Sequence, residues 1–507
     1  MKKLLALILA VVMVLSLVAC TGNGEEGGNT DDGKSTVKEM NVTSLHVGVA
    51  RGDITPPNPV GAHINGGGDP NRLAETILDD LAVTCIAITD KENNTVLFYH
   101  QDIHNPSAAS FTDDSRKAIS EATGVPVERI FMTATHTHSS LHPRDTTNDN
   151  NLEFNELYDK VIVEAAIAAM NDRAPATMYC AEVDVKEANG GQAMAFVRHY
   201  THKDGSVAGS NFGTYKMAMM NGFPYEADNG AQLLKFVREG KNPVLFMNWG
   251  AHSTFYGTTA LKNISADYPA YLRHYIEENT DYTFAICLSG GGDQTPQANL
   301  YPAADHGMGC EDYGAALGKI IVDFSAVDAN FTQVEDGAIK QEHQEIVVNT
   351  NKIPEHQREL AEKAQDVYDY FLANGQEMGN QYAQANGFQS CYEARSFVNR
   401  LKLDSVDTMN IPIDVLTLGN MSFVIASWEM SGHDSARVIK DTIKESGLYD
   451  MAFIVAYCNN NLGYIPALSN YQYNDGRGSY EAYDCNYAPG TCEQLAQAYI
   501  DLLKGMK

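Results

Sequence analysis

The sequence predicts an α/β fold of layered, mixed β-sheets flanked by helices, arranged as a single large domain. Three observations carry that expectation. Short apolar, β-branched runs recur along the chain, helical stretches fall between them, and no internal repeat or second linker interrupts the alternation. Residues 45–50 open the domain as a strand, and the apolar runs at 82–89 and 95–99 read as two more. A helix over 115–123 then leads into a strand at 130–135, and a long helical pattern covers 152–171. Strands at 243–248 and 283–288 enclose a helix at 268–278, and a further helix follows at 312–324. Residues 344–348, 413–418, 423–426 and 453–456 complete the strands, and helices at 355–374, 434–445 and 494–504 complete the pattern.

Ahead of this domain, Lys2 and Lys3 precede an unbroken apolar run, and Leu17-Val18-Ala19-Cys20 follows it. A charged start, an apolar run and a small residue before cysteine read as a bacterial lipoprotein signal over 1–19. A membrane anchor is the alternative, but the run is short for a span. The expectation is a lipidated Cys20, a flexible Gly-, Asn- and acid-rich tether over 20–41, and an extracytoplasmic domain over 42–507 anchored to the bacterial cell membrane. The chain carries 36 basic and 65 acidic residues, a net charge of -29. With no basic run to offset it, such a surface repels phosphate backbones and excludes nucleic acid as a partner.

Eight cysteines follow Cys20, none in a Cys-x-x-Cys spacing, which argues against a thiolate zinc site. Cys485 and Cys492 form the most local candidate disulfide, while Cys85 and Cys287 sit in apolar strands and read as core thiols. The segment 335–399 breaks the α/β pattern with a polar helix and an Asn/Gln-rich stretch. It reads as a solvated helical arm, with a cap over the site as the alternative.

Chemistry-bearing residues cluster where strands stop, which is where α/β folds collect their active sites. The run Thr135-His136-Thr137-His138-Ser139 closes one strand, and two imidazoles one residue apart can serve as ligand and proton carrier. Other strands end in Asn248-Trp249-Gly250-Ala251-His252, in Ser427-Trp428-Glu429 and ahead of Gly463-Tyr464-Ile465-Pro466. Two imidazoles and a carboxylate suit Zn²⁺, although spacing alone does not bring these ends together. Asp102 and His104, after the strand at 95–99, are candidates for orienting a metal-bound histidine, and a polar strand exit is the competing reading.

Together with Val47-Gly48-Val49-Ala50-Arg51-Gly52-Asp53-Ile54-Thr55-Pro56-Pro57, Ile264-Ser265-Ala266-Asp267-Tyr268-Pro269, Gly292-Asp293-Gln294-Thr295-Pro296 and Gly478-Ser479-Tyr480-Glu481, these motifs run in one order over about residues 45 to 495. In that order the chain resembles the neutral/alkaline non-lysosomal ceramidase family. The resemblance implies zinc ligands at His136, His252, Glu429 and Tyr464, a proton carrier at His138, and site residues at Arg198 and Tyr480. It implies a single catalytic domain that hydrolyses the amide of ceramide or a related N-acyl compound with a metal-activated water.

Three departures bear on substrate. Thr295 stands where ceramide-cleaving members have serine, keeping a hydroxyl but adding a methyl group, so the resemblance implies a site residue that positions substrate and not a nucleophile. The loop after the histidine pair reads Ser140-Leu141-His142-Pro143 instead of Gly-Pro-Gly-Gly, and an immunoglobulin-like C-terminal domain is not expected. The alternatives are a ceramidase-fold hydrolase acting on a soluble amide or ester, and a non-catalytic solute-binding lipoprotein.

Overall fold

Two β-sheets lie face to face with helices on their outer sides, so most strands bury both faces. That double burial explains why these strands read as unbroken apolar runs and not as alternating ones. The computed structural model describes residues 36–507 apart from 67–71, 107–108, 142, 147, 189–190, 192, 204–206, 209–219, 223, 258–261, 297–307 and 336. The expected signal, Cys20, the tether up to residue 35 and His142 lie outside the described residues.

The larger sheet contains β1 (His46–Asp53), β2 (Ala82–Thr89), β3 (Thr95–Gln101), β4 (Ile130–Ala134) and β5 (Ala174–Asp184). A small separate ribbon pairs β6 (Phe196–Val197) with β10 (Gln294–Thr295). β7 (Gly230–Arg238), β8 (Val244–Asn248), β9 (Thr283–Cys287) and β11 (Thr332–Val334) complete the larger sheet. Its order is β9-β8-β7-β5-β1-β2-β3-β4, with β11 also beside β5. The smaller sheet runs β12 (Ile339–Asn349), β13 (Thr408–Leu418), β14 (Met421–Ile425) and β15 (Met451–Val455) in that order. Three neighbouring pairs are parallel, β3 with β4, β8 with β9 and β14 with β15.

Between the sheets, Phe98 of β3 lies 5.5 Å from Phe423 of β14, and Phe246 of β8 lies 6.1 Å from Phe453 of β15. On β2, Ile86 and Ile88 join this inter-sheet core, while Val83, Cys85 and Ala87 face the outer one. That is the period of two expected for a strand. On the outer sides, α2 (Asp149–Asn171) covers β1 and β2, and α3 (Tyr268–Asn279) packs on β9. The earlier helix α1 (Ala109–Thr123) lies against α2, and α4 (Cys310–Ser325) lies on α3. The N-terminus of α3 is set by Asp267, whose side chain accepts from the Tyr268 N–H, and by Pro269 in the first turn.

The segment 335–399 departs from the expected solvated arm. It supplies strand β12 and then the helices α5 (Ala364–Ala385, with Gly375 at φ 78° marking a kink) and α6 (Cys391–Lys402). These helices enclose their own apolar cluster around Val367, Phe371 and Phe397. The arm then braces the C-terminal segment that holds Tyr480. Arg395 reaches Asp484 at 2.7 Å, and Ser390 Oγ lies 3.1 Å from the Tyr483 hydroxyl. The helix expected at 434–445 begins two residues earlier as a π-helical turn, Gly432–Ala436, and continues as α7 (Arg437–Ser446) on β15. A short α8 (Tyr480–Tyr483) and α9 (Thr491–Gly505), packed on β12 and β13, end the chain.

The expected Cys485–Cys492 disulfide is absent. Both are buried free thiols, with Cys485 bonded to the Tyr487 carbonyl and Cys492 3.2 Å from Ser435 Oγ. Among the described residues, no helix is long and apolar enough to cross a membrane.

Asn248, at the end of β8, stitches the two sheets. Its side-chain amide donates to the carbonyls of Cys287 at 3.0 Å and Ile454 at 2.8 Å, and its oxygen accepts from the Ile454 N–H at 2.9 Å. Leucine matches the shape but takes the side-chain partner from the Ile454 N–H and carbonyl, while the Cys287 carbonyl keeps only the Trp249 N–H at 3.3 Å. Asn248→Leu is therefore expected to cost on the order of 3 kcal/mol, read as a lowered midpoint in urea unfolding. An unchanged midpoint would remove Asn248 as the link between the sheets.

Candidate metal centre and active site

The strands β4, β8, β9, β14 and β15 deliver their C-terminal loops to one place. The Ala134 N–H bonds the Tyr457 carbonyl after β15, the Ala456 N–H bonds the Leu288 carbonyl after β9, and Glu429 pairs with Tyr464 as a parallel bridge. His136 turns out of β4 at φ 55°, a left-handed conformation that a non-glycine residue keeps only where its surroundings impose it.

Here the surroundings also fix the ring. His136 Nδ1 faces the His104 carbonyl at 2.8 Å and Asn105 Oδ1 at 3.1 Å, and His252 Nδ1 faces the Gly291 carbonyl at 2.9 Å. A carbonyl can only accept, so each ring, when neutral, carries its proton on Nδ1 and turns a bare Nε2 inward. The two Nε2 atoms lie 3.1 Å apart. Glu429 Oε2, buried and without a hydrogen-bond partner, lies 3.4 Å from the first and 3.7 Å from the second. Burial also drives His252 well below the usual imidazole range, which keeps its lone pair available.

With both rings neutral, three electron pairs converge, an arrangement that is repulsive unless a cation joins it. A tetrahedral zinc ion with bonds of about 2.0–2.2 Å has ligand–ligand edges of roughly 3.3–3.6 Å. The observed edges of 3.1, 3.4 and 3.7 Å bracket that range. The residues present therefore fit a zinc ion, and their second nitrogens are already tied to backbone acceptors.

Tyr464 lies against this cluster. Its hydroxyl bonds the Glu429 carboxylate and accepts from Arg198 Nη2 at 3.0 Å. Burial raises the phenol well above its usual range, and the Arg198 charge works the other way. Arg198, itself buried, donates from Nε to Glu481 at 2.8 Å and stands over the ring of Tyr480. Tyr480 meets Tyr464 edge to face at 5.4 Å.

His138 lies just outside the three-donor group, with Nε2 3.2 Å from His136 Nε2. Burial holds its pKa well below the usual imidazole value. Backbone packs close to His138 on two sides. A Cβ on Gly66 would come within 2.7 Å of His138 Cα, and one on Gly257 within 2.6 Å of His138 Cβ. Arg72, fully buried, donates to the His138 carbonyl and to Ser139 Oγ.

Of the residues expected at the site, His136, His138, His252, Glu429, Tyr464, Arg198 and Tyr480 come together. Thr295 is buried in β10, where it pairs with Phe196, next to Gln294, whose carbonyl accepts from the His252 N–H. Asp102 does not orient a histidine; it accepts from the Ala82 N–H and from Arg273, each at 3.0 Å. The orienting group near it is the His104 main chain.

Two features had no sequence expectation. Glu481, beside Tyr480 in a motif already singled out, is the partner of Arg198. Asp293 binds the Gly432 N–H at 2.6 Å and the His433 ring. Burial disfavours charge there, yet the Asp293 carboxylate raises His433 to about 9. Asp293, His433 and Asp434 also have the spacing of metal donors, but a charged imidazole between two carboxylates already fills that role. The pair locks the Gly292–Gln294 loop onto the turn that follows Glu429.

No protein-family model matches the sequence, and no curated protein does. Solved structures with the same fold include two ceramidases. One is the neutral ceramidase from Pseudomonas aeruginosa, with TM-score 0.63 and 14% identity over 91% of this chain and 74% of that one. The other is described as a ceramidase complexed with C2, with TM-score 0.63 and 14% identity over 91% of this chain and 75% of that one. At such identity the likeness is one of fold.

Proposed function

We propose that this chain is a zinc-dependent amidohydrolase of the neutral ceramidase kind, acting outside the cytoplasm from a lipid anchor on Cys20 and cleaving ceramide or a related N-acyl compound. The observation that carries the reading is the meeting of His136 Nε2, His252 Nε2 and Glu429 Oε2 within 3.7 Å of one another, next to His138. The ceramidase-like fold supports the choice of reaction, and the sequence before residue 21 supports the anchor.

His136, His252 and Glu429 would hold the ion, with the Tyr464 hydroxyl as a fourth donor. When bound, zinc supplies a Lewis acid that activates water and polarises an acyl oxygen. The remaining work falls to side chains. His138 is assigned to carry a proton to the departing nitrogen, since an amine leaves poorly as an anion. Arg198 fixes the Tyr464 hydroxyl and offers positive charge where an oxyanion would form. Tyr480 walls this side of the site, and Thr295 is assigned to positioning substrate.

Metal analysis of the purified chain, combined with fatty-acid release from a short-chain N-acylsphingosine in detergent micelles, tests the reading. The expected result is stoichiometric zinc, loss of release on chelation and recovery on adding zinc back. Protein without stoichiometric metal, or release that chelation leaves untouched, would overturn it. Zinc-dependent cleavage of soluble amides alone would replace the substrate.

A further inference from the structure

His104 is outside the three-donor cluster, yet its imidazole stands against two of the histidines there. Its ring stacks on His136 at 4.5 Å and meets His138 edge-on at 4.4 Å between centroids. Its Nε2 lies 3.2 Å from His138 Nε2, and its Nδ1 lies 3.0 Å from Asn105 Nδ2. The rings of His104, His136 and His138 have the spacing of a second metal site. Where one proton sits decides between an ion and a hydrogen bond.

Asn105 decides it. His136 Nδ1 carries a proton because it faces the His104 carbonyl, so the Asn105 atom beside that same Nδ1 must be the amide oxygen. The amide nitrogen then points at His104 Nδ1, which must accept. The proton of a neutral His104 therefore sits on Nε2 and points at His138 Nε2. A nitrogen that carries a proton has no lone pair for an ion, which leaves the hydrogen bond.

We propose that Asn105 and His104 form a hydrogen-bond relay that orients His138, making both positioning residues for the proton transfer assigned to it. The relay runs from His136 Nδ1–H to Asn105, from the Asn105 amide to His104, and from His104 Nε2–H to His138. One amide thus couples the tautomer of a metal-ligand candidate to the orientation of its neighbour. The backbone at Gly66 and Gly257 packs against His138 Cα and Cβ, and the His104 donor selects the rotation of the ring. The assigned role rests on the function proposed above; the placement of the protons does not.

Three variants test it. Asn105→Asp keeps an acceptor for His136 and removes the donor to His104, His104→Leu breaks the relay, and His104→Gln returns an N–H donor. Long-range ¹H–¹⁵N spectra of the zinc-loaded, histidine-labelled protein should show His104 protonated on Nε2, switching to Nδ1 in Asn105→Asp. Zinc content should be unchanged in all three variants. For the N-acylsphingosine probe, kcat should fall on the order of 10²-fold in His104→Leu and about tenfold in Asn105→Asp, with KM little changed and partial recovery in His104→Gln.

Wild-type His104 protonated on Nδ1 would overturn the relay. So would an additional zinc equivalent that His104→Leu loses, or full kcat in that variant with zinc bound. If the wild-type protein releases no fatty acid, the proposed function fails, while the tautomer measurement still decides the relay.

Discussion

Glu429→Ala is expected to abolish both zinc retention and turnover. Glu429 is the only one of the three converging donors that carries a charge when His136 and His252 are neutral, and its Oε2 has no other bond to lose. What would remain is two imidazole lone pairs 3.1 Å apart and a neutral phenol. The affinity loss should exceed the roughly 10–100-fold that follows removal of a group merely supporting a ligand. Stability gives a second readout, because an ion bound only by the folded state raises its melting temperature. Added zinc should raise the wild-type melting temperature and leave that of Glu429→Ala unmoved. Glu429→Gln keeps the shape and the contact with Tyr464 but not the charge, and should behave nearly as badly. A Glu429→Ala protein that still takes up stoichiometric zinc and turns over would remove this cluster as the centre.

Strand ends were the legible part of this site. His136, His252 and Glu429 each follow an apolar run whose length and composition announce a strand, and two-sided burial makes those runs continuous. The strands β5 and β7 were not legible, and burial again gives the reason. In β7, Gln232, Lys235 and Arg238 are all buried, Lys235 against Asp328 at 3.2 Å and over the Phe331 ring at 4.0 Å. A strand whose buried positions are polar does not have the period of a core strand. Helix α6 was hidden in the same way, with Glu393 and Arg400 inside a segment that reads as solvated. Within the site, the acceptor that orients His136 is a main-chain carbonyl, which no residue pattern marks. The neighbouring Asp102 carried the sequence signal and proved to serve Arg273 instead. The partner of Arg198 could not be read from spacing, since Glu481 is separated from it by 283 residues.

Arg198→Met is expected to lose activity and stability together, and Glu481 separates the two effects. The Arg198–Glu481 pair is almost wholly enclosed, with side-chain exposures of 5% and 1%. Removing only the guanidinium leaves the buried Glu481 carboxylate with just the His199 ring, 3.5 Å away, which costs up to about 3–5 kcal/mol. Burial on its own would raise the Glu481 pKa, and Arg198 reverses that, holding it well below the usual carboxylate range. The pair's contribution to stability is therefore present above the unfolded-state pKa and is lost as pH falls through the folded one. In Arg198→Met that support disappears, so the variant should lose most at neutral pH and little in strong acid.

The double variant Arg198→Met/Glu481→Gln replaces the charge pair with neutral groups and should recover much of the melting temperature. Its activity should stay lost, because the donor to Tyr464 at 3.0 Å is still missing. Recovery of turnover together with stability would mean that Arg198 serves only to hold the fold around Tyr464. Stability without turnover would assign the guanidinium to the reaction.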